Sequence, residues 1–283
     1  MPNSIFKLNI QAVGSLILAA ILAVDGCQSI KKKMSDTLTR WTMLHQDALE
    51  DPIKAVGGDG IVFAPRVESG SLNRKQLSSA TPECLMNYYS PIFIQQRINS
   101  MAQKYPYPQE YDSIGQARIE TVSGGKLKSY VSGSPIIYAI FKQVQINGKE
   151  RNQLTYTAWY PAHPRMKTID LEEAEIDSCV LRITLDADNA PLFYETIAAC
   201  GCFHKVFVEK WVEDKARDHF GPPEKSKKFS VERLLKDSID WEVAGVVDEP
   251  KDDPRRPVIF IKAGDHKVIA VSYTHLRAHE TRE

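Results

Sequence analysis

IDSCVLRITLDADNAPLFYETIAACGCFHKVFV, residues 176–208, is the stretch on which the fold turns. Its first half alternates. Cys179, Leu181, Ile183 and Leu185 fall on one face of an extended strand, and Ser178, Val180, Arg182 and Thr184 on the other. That period of two marks a half-buried β-strand. Asp186-Ala187-Asp188-Asn189 is a run of turn formers, because Asp and Asn side chains bond their own backbone and tolerate left-handed conformations. Leu192 to Ala199 is a second apolar, β-branched and aromatic run, so the stretch predicts an antiparallel hairpin. The hairpin delivers Cys200, Cys202 and His204 within one short turn, with Gly201 free to bend between the two thiols.

Outward from this hairpin the same signals recur. Ile136–Gln145 alternates, Asn147-Gly148 supplies a two-residue turn, and Leu154–Tyr160 returns; Asn-Gly suits that turn because both central residues need positive φ. ARIETV (117–122) and Trp241–Val247 read as strands, and PVIFIKAGDHKVIAV (257–271) as a hairpin turning at Ala263-Gly264-Asp265. Leu85, Met86 and Tyr89 suggest a helical turn ahead of the apolar run IFI (92–94). Val208, Trp211, Val212, Ala216 and Phe220 keep helical spacing up to Gly221-Pro222-Pro223, and Val231–Leu235 is a shorter helix. There is no βαβα alternation and no internal repeat. The pattern predicts an α+β domain over 82–269, an antiparallel hairpin-built sheet with one or two packing helices.

Upstream, Lys7 precedes the apolar run Ala12–Val24, and Asp25-Gly26-Cys27 follows. Thirteen apolar or small residues suit a signal-peptide core and fall short of a comfortable membrane span. Val24, Gly26 and Cys27 resemble a bacterial lipoprotein cleavage site, in which the cysteine becomes lipidated; Asp25 departs from that pattern. Residues 1–26 are therefore expected to be a signal peptide or membrane anchor with Cys27 as the lipidation site. Residues 27–81 are expected to hold a helix over SDTLTRWTMLHQDALEDP (35–52) and then a flexible linker rich in Gly, Ser, Lys and Asn. At the other end, VSYTHLRAHET (271–281) resembles the translated reading frame of a transposon-end sequencing adapter. Residues 270–283 thus read as foreign, the domain as truncated, and Val271 onward as making few core contacts.

With 36 basic and 36 acidic residues the formal net charge is zero. That balance favours neither nucleic acid nor an acidic polymer as partner. The chain carries no G-x-S-x-G, H-E-x-x-H, Walker lysine or G-x-G-x-x-G. Asp170, Glu172, Glu173, Glu175 and Asp177 form a carboxylate run that reads as an exposed acidic turn, with nothing apolar nearby to raise a pKa. Tyr156, Trp159 and Tyr160 read either as packing or as a ligand groove.

Three readings stand side by side for Cys200 and Cys202. A zinc or copper site would use both thiolates and His204, with His266, His163 or Cys179 as the fourth ligand. A disulfide would join either cysteine to Cys84 or Cys179. Packing alone is the third. C-x-C-x-H is one residue away from both C-x-x-C-H and C-x-x-C, which counts against c-type haem attachment and thioredoxin-like chemistry. The expectation for function is a bacterial cell-envelope protein, held at the membrane by its N-terminus and facing the periplasm or exterior, with a non-enzymatic binding or structural role. A metal-binding protein using the Cys200–His204 turn is the alternative. A thiol-dependent enzyme with His204 as base is the second alternative.

Overall fold

The computed structural model describes residues 60–65, 74–198, 201, 204–225, 227–234, 241–248 and 256–273. Cys27, the expected helix over 35–52, Cys200 and Cys202 lie outside the described residues. The strands are β1 (Gly60–Phe63), β2 (Ile92–Gln96), β3 (Gln116–Val122), β4 (Lys126–Ser132), β5 (Ile137–Ile146) and β6 (Lys149–Tyr160), then β7 (Asp177–Leu185), β8 (Pro191–Ala198), β9 (His204–Glu209), β10 (Trp241–Val247), β11 (Pro257–Ile261) and β12 (Val268–Tyr273). Among the described residues, two helices exceed a single turn, α1 (Pro82–Tyr88) and α2 (Lys210–Phe220). The protein is mainly β-sheet. One sheet has the order β1-β2-β11-β12, a second β10-β9-β8-β7-β6-β5, and β3-β4 stands as a separate pair.

Local chemistry explains the hairpins. Asn147 and Gly148 take φ of 51° and 73° and close β5 onto β6, so Ile146 pairs with Lys149. Between β7 and β8, Asp186 Oδ1 accepts the N–H groups of Asp188 at 2.8 Å and Ala190 at 2.9 Å, while Asn189 sits at φ 59°. The Asn189 side chain then donates to Leu77 O at 2.8 Å, and Tyr89 donates its hydroxyl to Asn189 O at 2.7 Å. The turn is thereby fixed to the segment around α1. Both strand pairs expected to be antiparallel neighbours, β5–β6 and β7–β8, are adjacent in the six-stranded sheet.

One core draws on both large sheets. Cys179, Leu181, Ile183 and Leu185, the alternating face of β7, are each at most 1% exposed. They pack in one cluster with Leu154, Tyr156, Ala158 and Tyr160 of β6 and with Phe93, Ile259, Ile261 and Val268 of the other sheet. Leu85, Tyr88 and Tyr89 close it from the α1 side. Tyr156 and Tyr160 are thus core residues; Tyr156 donates its hydroxyl to Met86 O at 2.7 Å.

The fold departs from the sequence reading in three places. Ile61–Phe63, assigned to the linker, lies in β1 and pairs antiparallel with β2, and Leu77 enters the core. A short apolar run beside a free sheet edge gains a full set of backbone partners by joining it. Val271, Ser272 and Tyr273, expected to make few core contacts, complete β12 opposite Pro257, Val258 and Ile259, with Val271 in the core. They extend the apolar run VIAV, and β11 satisfies their backbone groups. The sheets are also not wholly antiparallel, since β9 runs parallel to β10 and β2 parallel to β11. Parallel neighbours need a crossover of a dozen or more residues, and between β9 and β10 α2 lies within that crossover.

Candidate functional site

β6 and β7 pair so that Tyr160, the last residue of one, faces Asp177, the first residue of the other. The inward face of β7 therefore begins one pleat earlier than its apolar residues, and Asp177 is carried into the core with them. It is buried, contrary to its expected place in an exposed acidic turn. Four segments converge there. Asp177 Oδ1 accepts the N–H of Ser178 at 2.7 Å, and Oδ2 accepts from His163 Nδ1 at 3.0 Å and His266 Nδ1 at 2.8 Å. A carboxylate only accepts, so Nδ1 carries the proton in both rings.

A second buried carboxylate, Asp112, faces the same ring. It comes from the 3₁₀ turn Gln109–Asp112. Its Oδ2 accepts from the Tyr107 hydroxyl at 3.0 Å and Gln109 Nε2 at 3.3 Å, and its Oδ1 accepts the N–H of Gly264 at 2.6 Å. His266 Nε2 lies 3.3 Å from Asp112 Oδ1, an ion pair too poorly aligned to be a hydrogen bond. Tyr160 stacks on the His266 ring at 3.8 Å and 7°. Gly264 sits at φ 79°, so the turn carrying His266 favours glycine for its conformation; a Cβ there would also push aside the end of the Met166 side chain, 2.6 Å away at Sδ.

The charges reinforce one another. Burial alone would raise the Asp177 pKa, but the hydrogen bonds and charges of His163 and His266 outweigh it and bring it from 3.8 to about 2. Burial would lower that of His266, but Asp112 and Asp177 outweigh it and hold it above the ordinary 6.5. Burial, with Asp177 second, pushes the Cys179 thiol up to about 12. Cys179 is a protonated, inert core thiol.

These shifts set a pH window for stability. Asp177 contributes fully above pH 3.8, and that contribution is lost as pH falls toward 2, roughly 2 kcal/mol for a shift of this size. His266 contributes fully below pH 6.5, and its share is lost as pH rises through its raised folded value. Urea unfolding across pH should show a plateau between about 4 and 6.5 with a fall on either side. The His266→Gln variant should lose the alkaline fall. Stability that climbs from pH 6.5 to 9 in the unaltered protein would exclude this arrangement.

His163 and His266, expected as outside ligands for the Cys200–Cys202 turn, are both engaged by Asp177. His204 Nε2 lies 2.9 Å from Glu195 Oε1 on the neighbouring strand. Gly201 takes φ 82°, and its N–H donates to Ala198 O at 2.9 Å, so the β8–β9 connection does turn sharply there. Among the described residues, Cys84, exposed, and Cys179, buried, are free thiols. A small cavity beside His266 is lined by Cys179, Thr196, Ala198, Lys205 and Val268 among others and encloses about 10 Å³, room for one water. Asp112 is the residue the sequence reading missed altogether, and nothing in PYPQEYD marks it out. Compared with protein-family models, curated proteins and solved structures, the chain matches none.

Proposed function

We propose that the chain is an envelope-anchored bacterial protein with a non-enzymatic binding or structural role. In this reading a signal peptide or anchor over 1–26 and a linker tether an α+β domain to the membrane, facing the periplasm or exterior. The observation that supports a structural use of the buried centre is how completely its two carboxylates are engaged by the fold. Both oxygens of Asp112 and of Asp177 accept hydrogen bonds from within the chain. The adjoining cavity has room for no more than a water. The centre acts as a clamp joining the β11–β12 turn, through Gly264 and His266, to the first residue of β7. No helix among the described residues is long and apolar enough to cross a membrane.

The test is metabolic labelling with a palmitate analogue, followed by fractionation of bacteria expressing the full chain. The expected result is a labelled protein in the membrane fraction, with label lost in Cys27→Ser. An unlabelled protein in the cytosolic fraction that keeps its N-terminal residues would overturn the reading.

A further inference from the structure

We infer that His163, Asp170 and Glu172 form a binding site for one divalent metal ion of the zinc type, independent of the membrane tether and of the Cys200–Cys202 turn. One nitrogen or oxygen from each residue lies within 4.8 Å of the others. An acidic pair on a loop would mean little alone. The deciding feature is His163, which is only 6% exposed and whose Nε2 is buried without a hydrogen-bond partner. That nitrogen faces Glu172 Oε2 at 3.8 Å, beyond hydrogen-bonding range. Leaving a buried polar atom unmade costs about 1–3 kcal/mol, and a metal ion would satisfy it.

Everything around the ring prepares it as a ligand. Asp177 Oδ2 accepts a hydrogen bond from Nδ1–H at 3.0 Å, which places the lone pair of the neutral ring on Nε2. Carboxylate–histidine–metal relays fix a ligating imidazole in this way. Asp170 is held too, with one oxygen on the N–H of Met166 at 2.7 Å and the other on the N–H of Glu172 at 3.2 Å, each keeping a free lone pair. His163 and Ala174 exchange two backbone hydrogen bonds, 2.9 and 3.1 Å, closing the neck of the loop that carries Asp170 and Glu172. All three ligands thus sit on one stapled loop, anchored to the core through Asp177.

One imidazole and two carboxylates form a mixed nitrogen–oxygen set that suits zinc or manganese and lacks the thiolates that favour cuprous copper. Bonds of about 2.0–2.2 Å in a tetrahedron put ligand atoms roughly 3.4 Å apart. From the present spread of up to 4.8 Å the ligand atoms close by up to about 1.4 Å on binding, within reach of the half-buried Glu172 side chain. Lys267 Nζ lies 3.7 Å from Glu172 Oε2 and 3.6 Å from Asp265 Oδ2. Its ammonium opposes a cation at this place, so the ion displaces it from Glu172 toward Asp265.

The test titrates the full chain with Zn²⁺ by calorimetry and with Co²⁺ by absorption. One ion per chain should bind, with Co²⁺ visible bands but no thiolate charge-transfer band, and the Cys200→Ser/Cys202→Ser chain should behave identically. Glu172→Gln and Asp170→Asn alter half-buried side chains that leave the core intact. Each should weaken Zn²⁺ by more than the roughly 10–100-fold typical of an outer-shell change, and each should abolish the Zn²⁺-induced rise in Tm. Lys267→Met should tighten binding. Zn²⁺ binding that survives Glu172→Gln, binding lost with the two cysteines, or no binding at millimolar Zn²⁺ would each overturn the site.

Discussion

Asp177→Ala should lower the unfolding free energy by about 3–5 kcal/mol, the scale for breaking a buried charge pair by removing one partner. The loss is large because three groups are stranded together. His163 Nδ1, His266 Nδ1 and the N–H of Ser178 all donate to this one carboxylate. His266 would then keep only Asp112, at 3.3 Å and poorly aligned. Asp177→Asn provides the internal comparison. With its oxygen in the place of Oδ2 it still accepts from both rings, while its NH₂ cannot accept from the N–H of Ser178, so its cost should fall near 1–3 kcal/mol. Urea unfolding at pH 6 should rank the unaltered protein above Asn and Asn above Ala. An Asp177→Ala protein within about 1 kcal/mol of the parent would show that Asp177 does not hold the sheets together, whatever its geometry.

The same residue shows what was legible in the sequence and what was not. Hairpins β5–β6 and β7–β8 could be read because a strand buried on one face writes its period into adjacent residues, and because Asn147-Gly148 and Asp186–Asn189 carry turn chemistry of their own. Asp177 was also readable in principle. It lies two residues before Cys179, on the same face as Leu181 and Ile183, so extending the alternation by one pleat places a carboxylate in the core. It was hidden by its neighbours Glu172, Glu173 and Glu175, which make the segment look uniformly solvated. His163 and His266 stood out only as histidines near turns. Their common partner depends on the register Tyr160↔Asp177 and on the β11–β12 turn reaching across to the other sheet.

Long-range pairing was the least accessible part. Nothing in Ile92–Gln96 or Pro257–Ile261 announces that the two runs lie parallel and adjacent, because an apolar run of five residues pairs equally well with many partners. The choice is made by what else must be buried. The β11–β12 turn brings in Gly264 and His266, and Asp112 and Asp177 are already placed to receive them. The polar centre thereby selects one arrangement of two otherwise interchangeable apolar surfaces, the use of buried polar groups best supported by registry effects elsewhere.

Tyr160 should separate the packing part of this centre from its hydrogen-bonding part. Its ring is fully buried and stacks on His266 at 3.8 Å, while its hydroxyl is buried without a hydrogen-bond partner. Tyr160→Ala removes the ring, opens a cavity between β6 and the β11–β12 turn, and should cost about 3–5 kcal/mol. It should also move the alkaline fall in stability, because His266 would lose the wall that keeps water from its ion pairs. Tyr160→Phe keeps the ring and the stack and deletes only the unsatisfied hydroxyl. Since leaving such a group unmade costs about 1–3 kcal/mol, the Phe variant should be as stable as the parent or more so, with an unchanged pH profile. A Phe variant that loses more than about 1 kcal/mol would mean that the hydroxyl is bonded in the native protein. The clamp would then include a polar partner beyond Asp112, Asp177, His163 and His266, and the stack would no longer account for the conformation of the β11–β12 turn.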